Sequence, residues 1–319
     1  MAEIEDRVTL GPTDIEIPPL GFGTWAWGDP VMWGYGKEYD ESDLRDAFEA
    51  VIASGVNFFD TAEVYGLGRS ERMLGRFIRE DPEIEPDDLV IASKFMPFPF
   101  RLGKFFLRRA LRHSLDRLDM ARVDLYQMHF PLPPIPIAAW MDAMADAVAD
   151  GLVRSVGVSN YDLVQMGKAH RALTSRGVPL ASNQVEYSLL HRQPEINGVL
   201  QLCRDLDVTL IAYSPLAKGI LTGKYTPDNP PPGPRSRIYN REMLERVQPL
   251  IEAMRKMGAA HGDKTPVQVA LNWTICKGTV PIPGVKSVRH VKQNAGALGW
   301  RLTEDEVATL DDLSAWAID

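Results

Sequence analysis

The chain has 319 residues, 45% hydrophobic and 24% charged, with a formal net charge of -8 and two cysteines. That balance supplies a large apolar core and excludes a general attraction to nucleic acid or anionic membrane, so phosphate binding has to come from a local cluster of cations. Cys203 and Cys276 have no metal-ligand spacing around them and cannot make a disulfide framework; both read as buried helical thiols. Residues 8–20 hold two short alternating runs broken by Gly11-Pro12, which predicts a β-hairpin plugging one end of the main body. Strand and helix then alternate: strands over 20–25, 57–62, 89–95, 123–129, 155–160, 180–188, 209–215 and 278–283, with helices over 41–54, 70–80, 105–118, 138–150, 162–175, 195–205, a longer helical region after strand seven, and 288–298. Eight near-continuous apolar strands alternating with amphipathic helices predict an α/β fold, a closed (β/α)8 TIM barrel forming one domain over 1–319. Helices over 243–261 and 303–316 fall outside the repeat and are expected to pack outside the barrel, the second with Thr303 and Glu306 placed as a capping box.

Proline and glycine collect in 26–40, 96–104, 130–137 and 218–237, all after strands, which in a barrel is the face that carries chemistry. Three strands also end in ionisable groups there: Asp60 with Tyr65 one short turn later, Lys94, and His129. Together they make a proton-donating centre. A free phenol has a pKa near ~10, and an ammonium at ~4 Å with an effective dielectric of ~20 interacts with a phenolate by about 4 kcal/mol, so Lys94 is expected to lower the Tyr65 pKa by a few units. Asp60 would keep Lys94 charged and oriented, and His129 would hydrogen-bond a carbonyl oxygen beside Tyr65. A barrel hydrolase is disfavoured, because the strand ends lack a metal-ligand cluster such as paired histidines.

Several long motifs carry a resemblance over nearly the whole chain from Leu20: Gly21-Phe-Gly-Thr-Trp25, Phe59-Asp-Thr-Ala-Glu-Val-Tyr65-Gly66, Ser93-Lys94, Asp124-Leu-Tyr-Gln-Met-His129, Gly157-Val-Ser-Asn160, Asn183-Gln-Val-Glu-Tyr187, Tyr213-Ser-Pro-Leu-Ala217 and Pro281-Ile-Pro-Gly284. The chain resembles the aldo-keto reductase superfamily, and through 183–192 and 214–225 the bacterial and plant branch that includes pyridoxal reductases and potassium-channel β subunits. The resemblance implies Tyr65 as general acid, its pKa depressed by Lys94 and Asp60, with His129 orienting the substrate carbonyl. It implies NADPH (NADP+) as cofactor, with NADH admitted. Ser159, Asn160 and Gln184 match positions that hold a nicotinamide carboxamide, Tyr213 the aromatic stacked on that ring, and Ser214, Leu216, Gly219 and Lys224 the pyrophosphate loop. Gly23, Thr24, Trp25 and Asp60 border the same cleft. Gly284, Lys286, Ser287, His290, Gln293 and Asn294 match the adenosine end, at the start of the last barrel helix where free amides and the helix dipole favour an anion. Many NADPH-dependent relatives carry arginine where this chain has His290, so preference for the 2′-phosphate rests on Lys286 and Arg289. Gly21-Phe-Gly23 lacks the third glycine of a Rossmann fingerprint, and a barrel does not need one.

Trp25, Trp33, Tyr35, Phe95, Phe98 and Phe130 lie in or beside the loops around the carbonyl site and predict an aromatic-lined, mostly apolar pocket. The expected activity is NADPH-dependent reduction of aldehydes, and of some ketones, to alcohols. The alternative is a nucleotide-sensing regulatory subunit with very slow turnover, which shares the fold and the cleft. The expected partner is a small-molecule carbonyl substrate, without nucleic acid or membrane, for a monomer or weak oligomer. The first residues are acidic and no run of ~18 apolar residues follows, so a cytoplasmic setting is expected.

Overall fold

The apolar runs become strands buried on both faces, the condition of a parallel sheet covered by helices. The computed structural model describes residues 4, 6–231 and 239–317. Strands β1 (Val8–Thr9) and β2 (Glu16–Ile17) pair antiparallel ahead of β3 (Phe22–Gly23), β4 (Phe58–Asp60), β5 (Val90–Phe95), β6 (Val123–Met128), β7 (Val153–Ser159), β8 (Leu180–Glu186), β9 (Thr209–Tyr213) and β10 (Val280–Pro281). The last eight run parallel in sequence order. Their edges meet, with Gly21 N donating to Pro281 O at 3.0 Å, Gly23 N to Pro283 O at 3.1 Å, and Gly23 bridging Gly284. The result is a (β/α)8 barrel.

Helices α1 (Glu41–Ala53), α2 (Arg69–Glu80), α3 (Lys104–Leu118), α4 (Ile137–Ala149) and α5 (Leu163–Thr174) follow successive strands. The expected helix over 195–205 is two pieces, α6 (Gln193–Ile196) and α7 (Val199–Asp205), because Gly198 enters the left-handed region at φ 80° and interrupts the hydrogen-bond ladder. Beyond β9, α8 (Arg241–Ala260) packs on α9 (Pro266–Cys276), and α10 (Val288–Ala295) packs on α1 to complete the ring. Helix α11 (Glu304–Leu313) carries the Thr303–Glu306 capping box and leans on α8. Cys203 is buried, whereas Cys276 is only half-buried because it is the last residue of its otherwise largely buried helix. Of the expected loop over 218–237, residues 232–237 lie outside the described residues.

Strand alternation decides what faces the barrel axis. The inner cluster joins Leu10, Ile15 and Ile17 of the hairpin to Phe58, Val90, Ala92, Leu125, Ile211 and Val280, so the hairpin fills one mouth. Above it the inward column turns polar: Asp60, Lys94, Gln127, Ser182 and Gln184 are all buried. Gly157 is what lets this layer fit, since a Cβ there would lie 2.2 Å from Ser182 Oγ and 3.1 Å from Gln127 Cγ. Gly157→Ala is therefore expected to destabilise the fold by about 1–3 kcal/mol through overpacking. A urea unfolding curve reads this, and an unchanged midpoint would show that the layer relaxes freely.

Candidate active site

Asp60 ends β4, Lys94 is next to last in β5, and His129 follows β6 with its amide donating to Phe95 O at 2.9 Å, so three adjacent strands deliver the ionisable groups to one mouth of the barrel. Tyr65 opens the short turn that leads into α2. Lys94 Nζ donates to Asp60 Oδ1 at 2.5 Å, Thr61 O at 2.9 Å and Tyr65 Oη at 3.2 Å, giving each ammonium hydrogen a partner. The His129 ring stands edge-on to Tyr65 with centroids 5.9 Å apart.

The electrostatics differ in one respect from expectation. Burial raises the Tyr65 pKa, Lys94 opposes this, and Asp60 adds to it; the net direction is upward rather than downward. Desolvating a phenolate outweighs the single ammonium because that ammonium is itself shared with a carboxylate. The phenol is thus protonated at neutral pH, with Lys94 poised to limit the cost of its anion. Burial alone would lower the Lys94 pKa, but Asp60 and Tyr65 carry it above the ordinary value, so the lysine is charged. His129 is pushed down to about 3, by burial first and then by Lys94, and is a neutral imidazole with its Nδ1 buried and unpaired among the described residues.

Two glutamines support this centre: Gln127, which sequence reasoning passed over, and Gln184, which it assigned only to the nicotinamide. Gln127 donates to Asp60 Oδ2 at 3.3 Å, while Gln184 donates to the same oxygen at 2.8 Å. Gln127 is a polar residue inside an apolar run, on the inward parity that Leu125 sets, and that parity was the available signal. Glu63 accepts from Met96 N at 2.7 Å and Arg101 Nη1 at 2.5 Å, which ties the loop after β5 to the turn holding Tyr65 and neutralises Arg101.

On the side expected to border a nucleotide, Tyr213 Oη donates to Asn160 Oδ1 at 3.0 Å, and Asn160 Nδ2 donates to His129 O at 3.1 Å. This chain fixes the tilt of the Tyr213 ring. Ser214, Ala217 and Lys218 take left-handed φ of 51°, 47° and 53°, and Gly219 follows at 96°. Non-glycine residues held there are costly unless the surroundings demand it, and such turns aim backbone amides into an anion-binding concavity. Leu216 caps that turn and Lys224 is exposed beyond it.

At the far end, Ser287 caps α10 by accepting from His290 N at 3.4 Å, and Gln293 is half-buried on the same helix. Burial, then Arg289, Lys286 and Lys224, lower the His290 pKa, because three cations act on one imidazole and disfavour its protonation. Gly284 is exposed. Lys286 stands here with its ammonium already engaged, 3.0 Å from Glu38 Oε2.

Some expected contacts lie beneath the surface. Thr24 is fully buried, its hydroxyl donating to Asp60 O at 2.9 Å and meeting Ser70 Oγ at 2.7 Å, so its side chain ties β3 to β4 and α2 rather than facing the cleft. Gly23, Ser159, Gln184 and Asn294 are also buried, Ser159 donating to Gln184 O at 2.8 Å. Ser159 and Gln184 back Asn160, whose Nδ2 donates to Ser159 Oγ at 3.0 Å and whose amide donates to Gln184 O at 2.9 Å.

Among the aromatics, Trp25 packs edge-on against Trp33 at 5.3 Å and tilts over Tyr65 at 6.3 Å, while Phe130 stacks on His129 at 5.2 Å. These rings are contiguous around the phenol. Phe95 is not among them: it is fully buried on the outer face of β5 against Trp140 at 5.3 Å, because its neighbour Lys94 takes the inward position. Phe98 stacks on Phe100 at 5.3 Å, and Tyr35 packs on Tyr39 at 5.9 Å.

Comparison with known proteins agrees with this architecture. The model of the aldo/keto reductase family matches residues 19–315. Pyridoxal reductase, chloroplastic, of Arabidopsis thaliana is 45% identical over 314 residues, spanning 96% of this chain and 85% of that protein. An aldo-keto reductase of Klebsiella pneumoniae solved in complex with NADPH superposes with a TM-score of 0.76 at 30% identity, covering 97% of this chain and 95% of that one. A glycerol dehydrogenase of Gluconobacter oxydans gives a TM-score of 0.85 at 26% identity, covering 98% and 96%. With its barrel, its strand-end acid, lysine and histidine around one phenol, and a match over nearly its full length, the chain belongs to the aldo/keto reductase family of oxidoreductases.

Proposed function

We propose that this protein is an NADPH-dependent carbonyl reductase that converts aldehydes, and some ketones, to alcohols. The observation that carries the reading is the hydrogen-bonded line Asp60–Lys94–Tyr65 with a neutral His129 edge-on to the phenol. NADPH, when bound, supplies the hydride that reaches the carbonyl carbon. Tyr65, protonated at neutral pH, gives its proton to the carbonyl oxygen. Lys94 stabilises the phenolate as it forms, and Asp60 holds Lys94 in place. His129, being uncharged, donates a hydrogen bond to the same oxygen without competing for the proton. The left-handed turn from Ser214 to Gly219, with Lys224 beyond it, suits a pyrophosphate, and Tyr213, oriented by Asn160, suits a flat nicotinamide ring.

Trp25, Trp33 and Phe130 favour apolar and aromatic aldehydes, since among the described residues the cations beside the phenol are paired: Lys94 is held by Asp60 and Arg101 by Glu63. The expected cytoplasmic setting and monomeric or weakly associated state belong to this proposal; among the described residues no helix is long and apolar enough to cross a membrane. The test is steady-state oxidation of NADPH and of NADH with a panel of aliphatic and aromatic aldehydes, pyridoxal included because a relative is named for it. Multiple turnovers with aromatic aldehydes and a preference for NADPH are expected. Tight NADPH binding with turnover absent across the panel would favour a sensor instead.

Lys286 is the residue proposed to meet the 2′-phosphate. Lys286→Ala should weaken NADPH binding about tenfold to a hundredfold, the scale of a charge-assisted contact, and leave NADH binding within about threefold. Quenching of tryptophan fluorescence by each cofactor reads both affinities. Equal losses for the two would refute the assignment.

A further inference from the structure

Lys286 is not free in this structure. Its Nζ lies 3.0 Å from Glu38 Oε2, 3.5 Å from Trp33 O and 4.7 Å from the centre of the Tyr39 ring. All three partners come from the loop between β3 and α1, 248 residues away in sequence at Glu38, and together they occupy the ammonium. Glu38 is exposed on that loop, its side chain 69% accessible against 27% for Lys286, so it supports no core packing. Around the same spot Arg289, Lys286 and Lys224 all act on His290. Glu38 therefore places a carboxylate on the rim of a cation cluster, against the lysine proposed to receive the 2′-phosphate.

We infer that Glu38 is a specificity-determining residue for the cofactor, an internal anion that competes with the 2′-phosphate of NADPH for Lys286. The inference rests on the reading of Lys286 given above. A phosphate dianion arriving at Lys286 meets a carboxylate of like sign at the same ammonium, so the phosphate must displace Glu38 or share the charge with it. NADH brings no phosphate and leaves the Glu38–Lys286 pair intact. The penalty falls on NADPH alone, and it narrows the preference that Lys286 would otherwise confer. An exposed ion pair is weak, which makes the competition reversible and its effect moderate. The loop that carries Glu38 also carries Trp33, whose ring packs on Trp25 beside Tyr65, so the same segment spans both ends of the site.

The experiment is a double-mutant cycle on the full-length protein: wild type, Glu38→Gln, Lys286→Ala and the double variant, each titrated with NADPH and NADH by tryptophan fluorescence. Glu38→Gln keeps the shape and removes the charge. It should tighten NADPH about three- to tenfold, the scale of a surface ion pair with its like-charge repulsion relieved, and shift NADH less than about twofold. In the Lys286→Ala background the same change should tighten NADPH clearly less, because the cation being competed for is gone and only the direct repulsion between carboxylate and phosphate is left to relieve. Unchanged NADPH affinity in Glu38→Gln, with Lys286→Ala still selective, would overturn the competition while leaving the phosphate role of Lys286 standing. Equal weakening of both cofactors in Lys286→Ala would overturn both. Equal tightening of both by Glu38→Gln would show a general charge effect and likewise overturn the inference.

Discussion

Tyr65→Phe is expected to lose roughly two orders of magnitude or more of aldehyde turnover while binding NADPH as the wild type does, the usual scale for a missing general acid. The substitution removes one hydroxyl and leaves the ring, which packs against Trp25 and His129. Lys94 keeps Asp60 and Thr61 O as partners, so the fold has little reason to respond. Burial holds the Tyr65 pKa above its ordinary value, which gives a second expectation: the reductive rate should not fall through neutral pH from loss of the phenolic proton. Stopped-flow traces of NADPH oxidation read the rate. Retention of more than half the wild-type turnover would sink the role given to the hydroxyl.

The next largest effect is expected at Lys94, where charge and stability are entangled. Its side chain is fully buried with Asp60, and Lys94→Met leaves that carboxylate among Gln127 and Gln184 without a counter-charge. Breaking a buried pair from one side costs about 3–5 kcal/mol, so the single variant should unfold at clearly lower urea and lose turnover. Asp60→Asn/Lys94→Met removes both charges and should regain most of that stability, since replacing a whole buried pair is often close to neutral. Turnover should stay lost, because nothing then stabilises the Tyr65 phenolate. Recovery of activity along with stability in the double variant would mean that the pair serves only the fold.

The barrel was readable because its signal is redundant: eight apolar runs at regular spacing leave little else to build, and a polar group at a strand end is conspicuous against them. Asp60, Lys94 and His129 stood out for that reason. The direction of the Tyr65 pKa did not, because it depends on how much water the fold removes from the phenol, and no spacing encodes that. Phe95 illustrates a different failure. Proximity to the site suggests the pocket, although the period of a strand sends it opposite to Lys94 and into the helix layer. The break at Gly198 was a local signal outweighed by helical periodicity on either side. The left-handed turns at Ser214, Ala217 and Lys218 use residues with no local preference for that conformation, so only the surrounding fold imposes them. The capture of Lys286 by Glu38 joins opposite ends of the chain and becomes visible only once the barrel closes.

The central claim, that Tyr65 and its neighbours serve a hydride transfer to a carbonyl, is tested most directly by following the hydride itself. NADPH carrying deuterium at its transferable position would be incubated with an aromatic aldehyde and the purified protein, and the alcohol examined by mass spectrometry and NMR. The account expects one deuterium on the carbinol carbon, none on the hydroxyl after exchange with water, and loss of labelled product in Tyr65→Phe. Tightly bound cofactor with no deuterium reaching any aldehyde of the panel would contradict it.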